Sequence, residues 1–175
     1  MPPCKALLIS GSGSDKPVVK AYQEKLKQKF GVPSDWRVAS AHRTSEHAAG
    51  VFTEFENNPD YAVGGAIAGY QNALAAQWTA RTTKPVYALQ PEIKDFTELK
   101  LEPPDPVRYD AEVHGVLFLP PGVSAPIQIG IENGTLALAK VVSVNNLDVA
   151  TMIAKYLEKR RGGVMEADEK ARGGE

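Results

Sequence analysis

One pattern constrains this chain more than any other. A short apolar run, a tight polar turn and an amphipathic stretch follow one another, and the same sequence of features then recurs with different residues. The first run is KALLI at 5–9, closed by the glycine–serine cluster SGSGSD at 10–15. A run this short, bounded by turn residues, predicts a buried strand. In KPVVKAYQEKLKQKF at 16–30, Val18, Val19, Tyr22, Leu26 and Phe30 recur at helical spacing with lysines on the opposite side. Pro17 suits a first helical turn and Gly31 a helix end.

The unit repeats as a strand over 35–40 (DWRVAS), a turn AHRT and a helix over 45–58. A third strand over 61–69 precedes a helix over 73–82. A fourth strand covers 85–90, and a fifth over 125–131 runs into a helix over 133–144. Strands alternating with helices predict a parallel sheet covered on both faces. Right-handed crossovers then give a three-layer, flavodoxin-like (Rossmann-like) α/β sandwich of about five strands. Between 92 and 121 the rhythm lapses into proline-punctuated, mixed-charge sequence, read as an irregular insertion. An extra C-terminal helix is expected over 147–161, with Val149, Met152, Ile153, Tyr156 and Leu157 as its apolar stripe. Residues 1–161 thus form a single domain, and the charged, glycine-rich 162–175 is read as a mobile tail.

Composition bounds the function. The formal net charge of -1 gives no support for phosphate neutralisation along a nucleic acid. The single cysteine, Cys4, cannot form an internal disulfide and reads as a small buried residue, which fits a reducing cytoplasm. The N-terminal apolar run is too short for a signal core or a membrane span. The expectation is a cytoplasmic protein without nucleic-acid or membrane partners.

In open parallel sheets, ligands bind at the carboxyl ends of the strands, where strand order reverses. Three strand ends carry polar turns here: SGSGSD, SAHRT and AGYQN. In the first, Gly11 and Gly13 permit close backbone approach, and Ser12 and Ser14 add hydroxyls. Asp15 suits either sugar hydroxyls or a helix cap. The second turn, Ser40–Thr44, sets Arg43, whose planar fork suits phosphate, beside His42, a side-chain type that ordinarily titrates near neutrality. The alternative is a polar pair in a surface turn. The third, Ala68–Asn72, offers amides and an aromatic ring, with Asn72 as a candidate cap. His47 and His114 read as surface residues. With no carboxylate pair and no cluster of metal-ligand type, proton transfer by one histidine is the chemistry these residues support.

On these residues the chain resembles the PurE-type phosphoribosylaminoimidazole carboxylase family of purine biosynthesis. GSGSD, SAHRT and AGYQNALAA stand in the family's order, followed by LPPGVSAPIQIG and NGTLALAKVVSV. The family has a mutase branch, marked by GGAAHLPG after the third strand, and a direct carboxylase branch with a turn like AGRSNAL. AGYQNAL is similar to the second. The resemblance implies carboxylation of aminoimidazole ribonucleotide (AIR) by carbon dioxide to carboxyaminoimidazole ribonucleotide (CAIR). It makes His42 the general acid/base, assigns Ser12 and Asp15 to the ribose phosphate and puts Arg43 on the phosphate. Gly11, Ser14, Ser40, Ala41, Gly69, Gln71 and Asn72 complete the implied contacts. No metal, biotin or nucleoside triphosphate is required, and a homo-octamer is implied, the C-terminal helix reaching neighbours. Tyr70–Gln71 replaces the branch's arginine–serine pair, and Phe118 and Pro121 stand where the family's later arginine and serine fall. Those departures favour an altered nucleotide substrate as one alternative. A mutase, and a non-catalytic nucleotide- or flavin-binding module, are the others.

Overall fold

The computed structural model describes residues 4–68, 73–117 and 119–173. The strands are β1 Lys5–Ser10, β2 Ser34–Val38, β3 Tyr61–Ile67, β4 Val86–Gln90 and β5 Ile127–Ile129. The helices are α1 Lys16–Phe30, α2 Ser45–Asn57, α3 Ala73–Thr79, α4 Ile93–Glu98, α5 Pro106–Leu117, α6 Ile131–Ser143 and α7 Leu147–Gly173. A single 3-10 turn, Gly13–Asp15, joins β1 to α1. All pairings are parallel, in the order β2-β1-β3-β4-β5. The expected flavodoxin-like three-layer architecture is the one observed.

Alternation along β1 explains the layers. Ala6 and Leu8 face a core built with Val19, Tyr22, Leu26 and Phe30 of α1, Leu138 and Val142 of α6, and Val149 and Ile153 of α7. Leu7 and Ile9 face the other way, onto Val51, Phe52 and Phe55 of α2 and Leu74 and Trp78 of α3. Every one of these side chains is buried. Successive strand residues point to opposite faces, so a continuous apolar strand requires cover on both. Gly64 in β3 exists for packing: a Cβ there would lie 2.6 Å from the Trp78 ring.

Because β1 lies between β2 and β3, the chain leaves it for β2 on one side and then returns to β3 on the other. The carboxyl ends of β1 and β3 therefore flank the point of reversal, where the polar turns emerge.

Cys4, read as buried, is half-buried, and the secondary structure departs from expectation in two places. The segment read as irregular, 92–121, contains α4 and α5. Pro106 opens α5 instead of breaking it, since the first helical position needs no amide hydrogen, and Asp105 caps that end by accepting from the Val107 amide at 3.0 Å. At α4, the Glu92 amide donates to Asp95 at 2.8 Å, and the same carboxylate accepts from the Ile131 amide at 3.0 Å, tying α4 to the start of α6. The second departure is α7, which runs on through Gly173 where the sequence reading ends the helix at 161. Once a helix is nucleated by packing, each added residue requires little, and the extension mixes helix formers (Glu166, Ala167, Lys170, Ala171) with the disfavouring pair Gly162–Gly163 at which the sequence pattern stops. Arg172 and Asp168 lie one turn apart at 3.8 Å.

Candidate active site

The first turn is organised from within the strand. Ser10, fully buried, donates from its hydroxyl to the Ser12 carbonyl at 2.8 Å and accepts from the Trp36 indole at 3.0 Å. This pins the chain as it leaves β1. Ser12 then caps the 3-10 turn: its hydroxyl accepts from the Ser14 amide at 3.2 Å and from the Ser14 hydroxyl at 2.9 Å, while its own amide donates to Asp15 at 3.0 Å. Asp15 thus closes the 3-10 turn by reaching back to Ser12. It does not cap the following helix, as one of its two sequence readings had it, because its side chain makes no cap hydrogen bond at the start of α1, and its carboxylate also faces a hollow. Burial raises the Asp15 carboxyl above its ordinary value, only partly opposed by the Ser12 amide and the Arg43 charge.

The second turn is closed by Thr44, whose hydroxyl accepts from the Ser40 amide at 3.0 Å, and by the Ser40 hydroxyl, which accepts from the Arg43 amide at 3.2 Å. Arg43 then crosses to the first turn and donates to the Gly11 carbonyl at 2.8 Å. One guanidinium therefore bolts the two turns together and sets a fixed positive charge between them. Ala41 is buried under this turn while His42 is exposed. His47 donates to or accepts from no residue of the turn's interior; its ring nitrogen lies 3.3 Å from the Val38 carbonyl.

The two turns enclose a hollow of ≈ 470 Å³. Gly11, Ser12, Ser14 and Asp15 line it from the first turn, and Ser40, Ala41, His42 and Arg43 from the second. Ala68, Ala73 and Leu74 close it where the third turn begins and ends. Eight of the residues singled out in the sequence are therefore brought together. Gly69, Gln71 and Asn72, like Tyr70 and Phe118, lie outside the described residues. Sequence reasoning missed Ser10, Trp36 and Thr44, which build the turns without lining the hollow; a serine ending an otherwise apolar strand was the available signal. Among the described residues no group of His, Cys, Asp and Glu is arranged to hold a metal ion, and no helix is long and apolar enough to cross a membrane.

A hollow with hydroxyls, a helix start, a guanidinium and an imidazole at a strand-order reversal suits a phosphorylated ligand on which one proton moves. Comparison with known proteins gives that geometry a family. The family model described as AIR carboxylase matches residues 5–162. The chain belongs to the AIR carboxylase family. Among its relatives, a phosphoribosylaminoimidazole carboxylase of Archaeoglobus fulgidus is 31% identical, over 96% of this chain and 85% of that protein. An N5-carboxyaminoimidazole ribonucleotide mutase of Methanocaldococcus jannaschii is 30% identical, over 94% of this chain and 96% of that one. The crystal structure of Treponema denticola PurE superposes with a TM-score of 0.80 at 25% identity, covering 94% of this chain and 96% of that chain. This is an enzyme family of purine biosynthesis, and both of its activities occur among the relatives.

Proposed function

We propose that this chain interconverts AIR and CAIR, with carbon dioxide as the one-carbon partner and His42 as the general acid/base. The observation that carries the reading is the meeting of the SGSGSD and SAHRT turns in one hollow, with His42 and Arg43 side by side on its wall. The ribonucleotide's phosphate is held by Arg43 and the hydroxyls of Ser12 and Ser14, and its ribose hydroxyls donate to Asp15. Gly11, Ser40 and Ala41 shape the wall, and Gly69, Gln71 and Asn72 are further contacts that the family resemblance implies.

The chemistry then needs little more than position and one base. The imidazole carbon of AIR beside the amino group is electron-rich and forms a bond to the carbon of carbon dioxide. That ring carbon becomes tetrahedral and the new carboxylate carries the negative charge. Neutral His42 takes the proton from the tetrahedral carbon, the C–H electron pair returns to the ring, and aromaticity is restored. In reverse, protonated His42 delivers the proton to the same carbon and the carboxylate leaves as carbon dioxide. A positioned acid/base of this kind contributes roughly 10²–10⁴-fold.

The relationship to the M. jannaschii mutase supports a second reading, in which the substrate is the N-carboxylated nucleotide. One assay separates them. Purified protein is mixed with AIR and bicarbonate, or with N5-carboxyaminoimidazole ribonucleotide alone, and CAIR is followed by absorbance. The carboxylase reading expects turnover with the first mixture, rising with dissolved carbon dioxide. Turnover with the second mixture alone overturns it in favour of the mutase. We place the enzyme in the cytoplasm as a homo-octamer. Exposed Val144, Leu147, Val164 and Met165, on or just before α7, support a neighbour there, and light scattering in solution tests the octamer.

A further inference from the structure

A second hollow, of ≈ 440 Å³, opens beside the first and shares two of its residues, Asp15 and Ala68. Its floor is the carboxyl end of β3 and β4 with α1 (Ile67, Leu89 and Val18), and the buried amide of Gln90 lies in its wall. Its outer side is supplied entirely by the segment after β4: Phe96 of α4 and the strap Glu102, Pro103, Pro104, Asp105. The strap is held by its ends. Lys100 adopts the left-handed conformation, φ 56, as α4 closes, and the Leu101 amide donates to the Phe96 carbonyl at 2.8 Å. At the far end Asp105 caps α5.

The two hollows differ in charge. The first carries Arg43 and His42; among the described residues no lysine, arginine or histidine lines the second, which has the carboxylates of Asp15, Glu102 and Asp105. A second anionic group is unwelcome there. A flat apolar body bearing N–H donors is favoured, because its faces meet Phe96 and the prolines while carboxylates accept from its edge. The volume far exceeds that of one five-membered ring and lies within the range of ordinary ligand pockets.

We infer that the joined hollows bind a nucleoside 5′-monophosphate whose base is bicyclic and carries an exocyclic amine. Its phosphate lies at Arg43 and Ser12, its ribose at the shared Asp15, and its base in the second hollow between Phe96 and the strap. The inference rests on the proposed phosphate site of the first hollow. Such a ligand overlaps the phosphate and ribose positions of AIR and therefore competes with it.

The probes are adenosine 5′-monophosphate and inosine 5′-monophosphate, which differ at the position where an amine is replaced by a carbonyl. With the full chain, the adenine nucleotide raises the apparent KM for AIR and leaves kcat unchanged. The inosine nucleotide, whose carbonyl meets carboxylates, binds at least about tenfold more weakly by calorimetry, a difference of about 1.4 kcal/mol. In the Glu102→Gln/Asp105→Asn double variant that preference falls below about threefold, and Phe96→Ala weakens the adenine nucleotide while AIR turnover stays near the parent value. Phe96→Leu, which keeps the wall filled, covers the case in which the alanine variant fails to fold. Equal binding of the two nucleotides, a preference unchanged in the double variant, or no binding of either overturns the inference. Loss of AIR turnover alone, with nucleotide binding intact, would overturn the proposed reaction and leave this site standing.

Discussion

At the scale of single residues, the site separates groups that build from groups that face the ligand. Ser10, Trp36 and Thr44 are spent on the turns, whereas His42 is exposed beside the hollow and makes no side-chain hydrogen bond among the described residues. His42→Asn is therefore expected to lower kcat by at least about 100-fold. Its unfolding free energy should stay within about 0.5 kcal/mol of the parent in urea titration. Arg43 does both jobs. Arg43→Ala removes a charged phosphate contact and should raise KM about 10- to 100-fold, with some loss of stability as the bond to the Gly11 carbonyl goes. Arg43→Lys should recover only part of the affinity, because an ammonium cannot span both partners as a planar fork does. A different kind of residue is Tyr22, whose fully buried hydroxyl has no hydrogen-bond partner among the described residues. Its ionisation is pushed well up, first by burial and then by the nearby Asp95 charge. Removing an unsatisfied polar atom while keeping the ring makes Tyr22→Phe neutral or stabilising by up to about 1 kcal/mol, readable in the same titration.

At the scale of elements, the strand–turn–helix rhythm was legible because the apolar stripe of α1 and the uninterrupted apolar run of β1 each admit one packing arrangement. All five strands, and the helices α1, α2, α3 and α6 that cover them, lie where the pattern puts them, within a few residues at their ends. The eight residues of the first two turns were legible for the same reason: strand ends in a parallel sheet emerge on one edge, so polar turns that end successive strands must meet. What was not legible was α4 and α5. Their prolines read as breakers, and only the capping carboxylates Asp95 and Asp105, visible in three dimensions, turn them into helix starts. The second hollow was hidden with them, since its outer wall comes from this segment. Lys100 tests the local account. A non-glycine residue holds a left-handed position there, so Lys100→Gly should stabilise the protein by about 1 kcal/mol. Gly64→Ala should do the reverse. The added methyl meets Trp78 at 2.6 Å, and overpacking of this kind lowers stability by about 1–3 kcal/mol.

At the scale of the whole molecule, α1, α6 and α7 are clamped at one carboxylate. Glu132 of α6 accepts from Lys29 of α1 at 2.7 Å and from the Tyr156 hydroxyl of α7 at 2.6 Å. Burial pushes its carboxyl up, but the hydrogen bonds from Lys29 and Tyr156, with the charges of Lys29 and Lys25, outweigh that and hold it down, from the ordinary 4.5 to about 2. The unfolded chain therefore binds a proton at this group where the folded chain does not. Its stabilising contribution is complete above pH 4.5 and is lost as pH falls toward 2. Glu132→Gln should lower stability at neutral pH and flatten the acid limb of stability against pH over that window. α7 was foreseen only as far as 161 because its packed half carries an apolar stripe that a sequence shows, while the extension to Gly173 opens on Gly162–Gly163, which disfavour a helix, and buries no residue.

The central claim is geometric, and a crystal structure with AIR bound measures it. The phosphate is expected against Arg43, Ser12 and Ser14, the ribose at Asp15, and the ring carbon beside the amino group about 3–3.5 Å from a nitrogen of His42, the separation of a near-attack arrangement. A phosphate bound elsewhere, or a His42 ring turned away from that carbon in the occupied site, would contradict it.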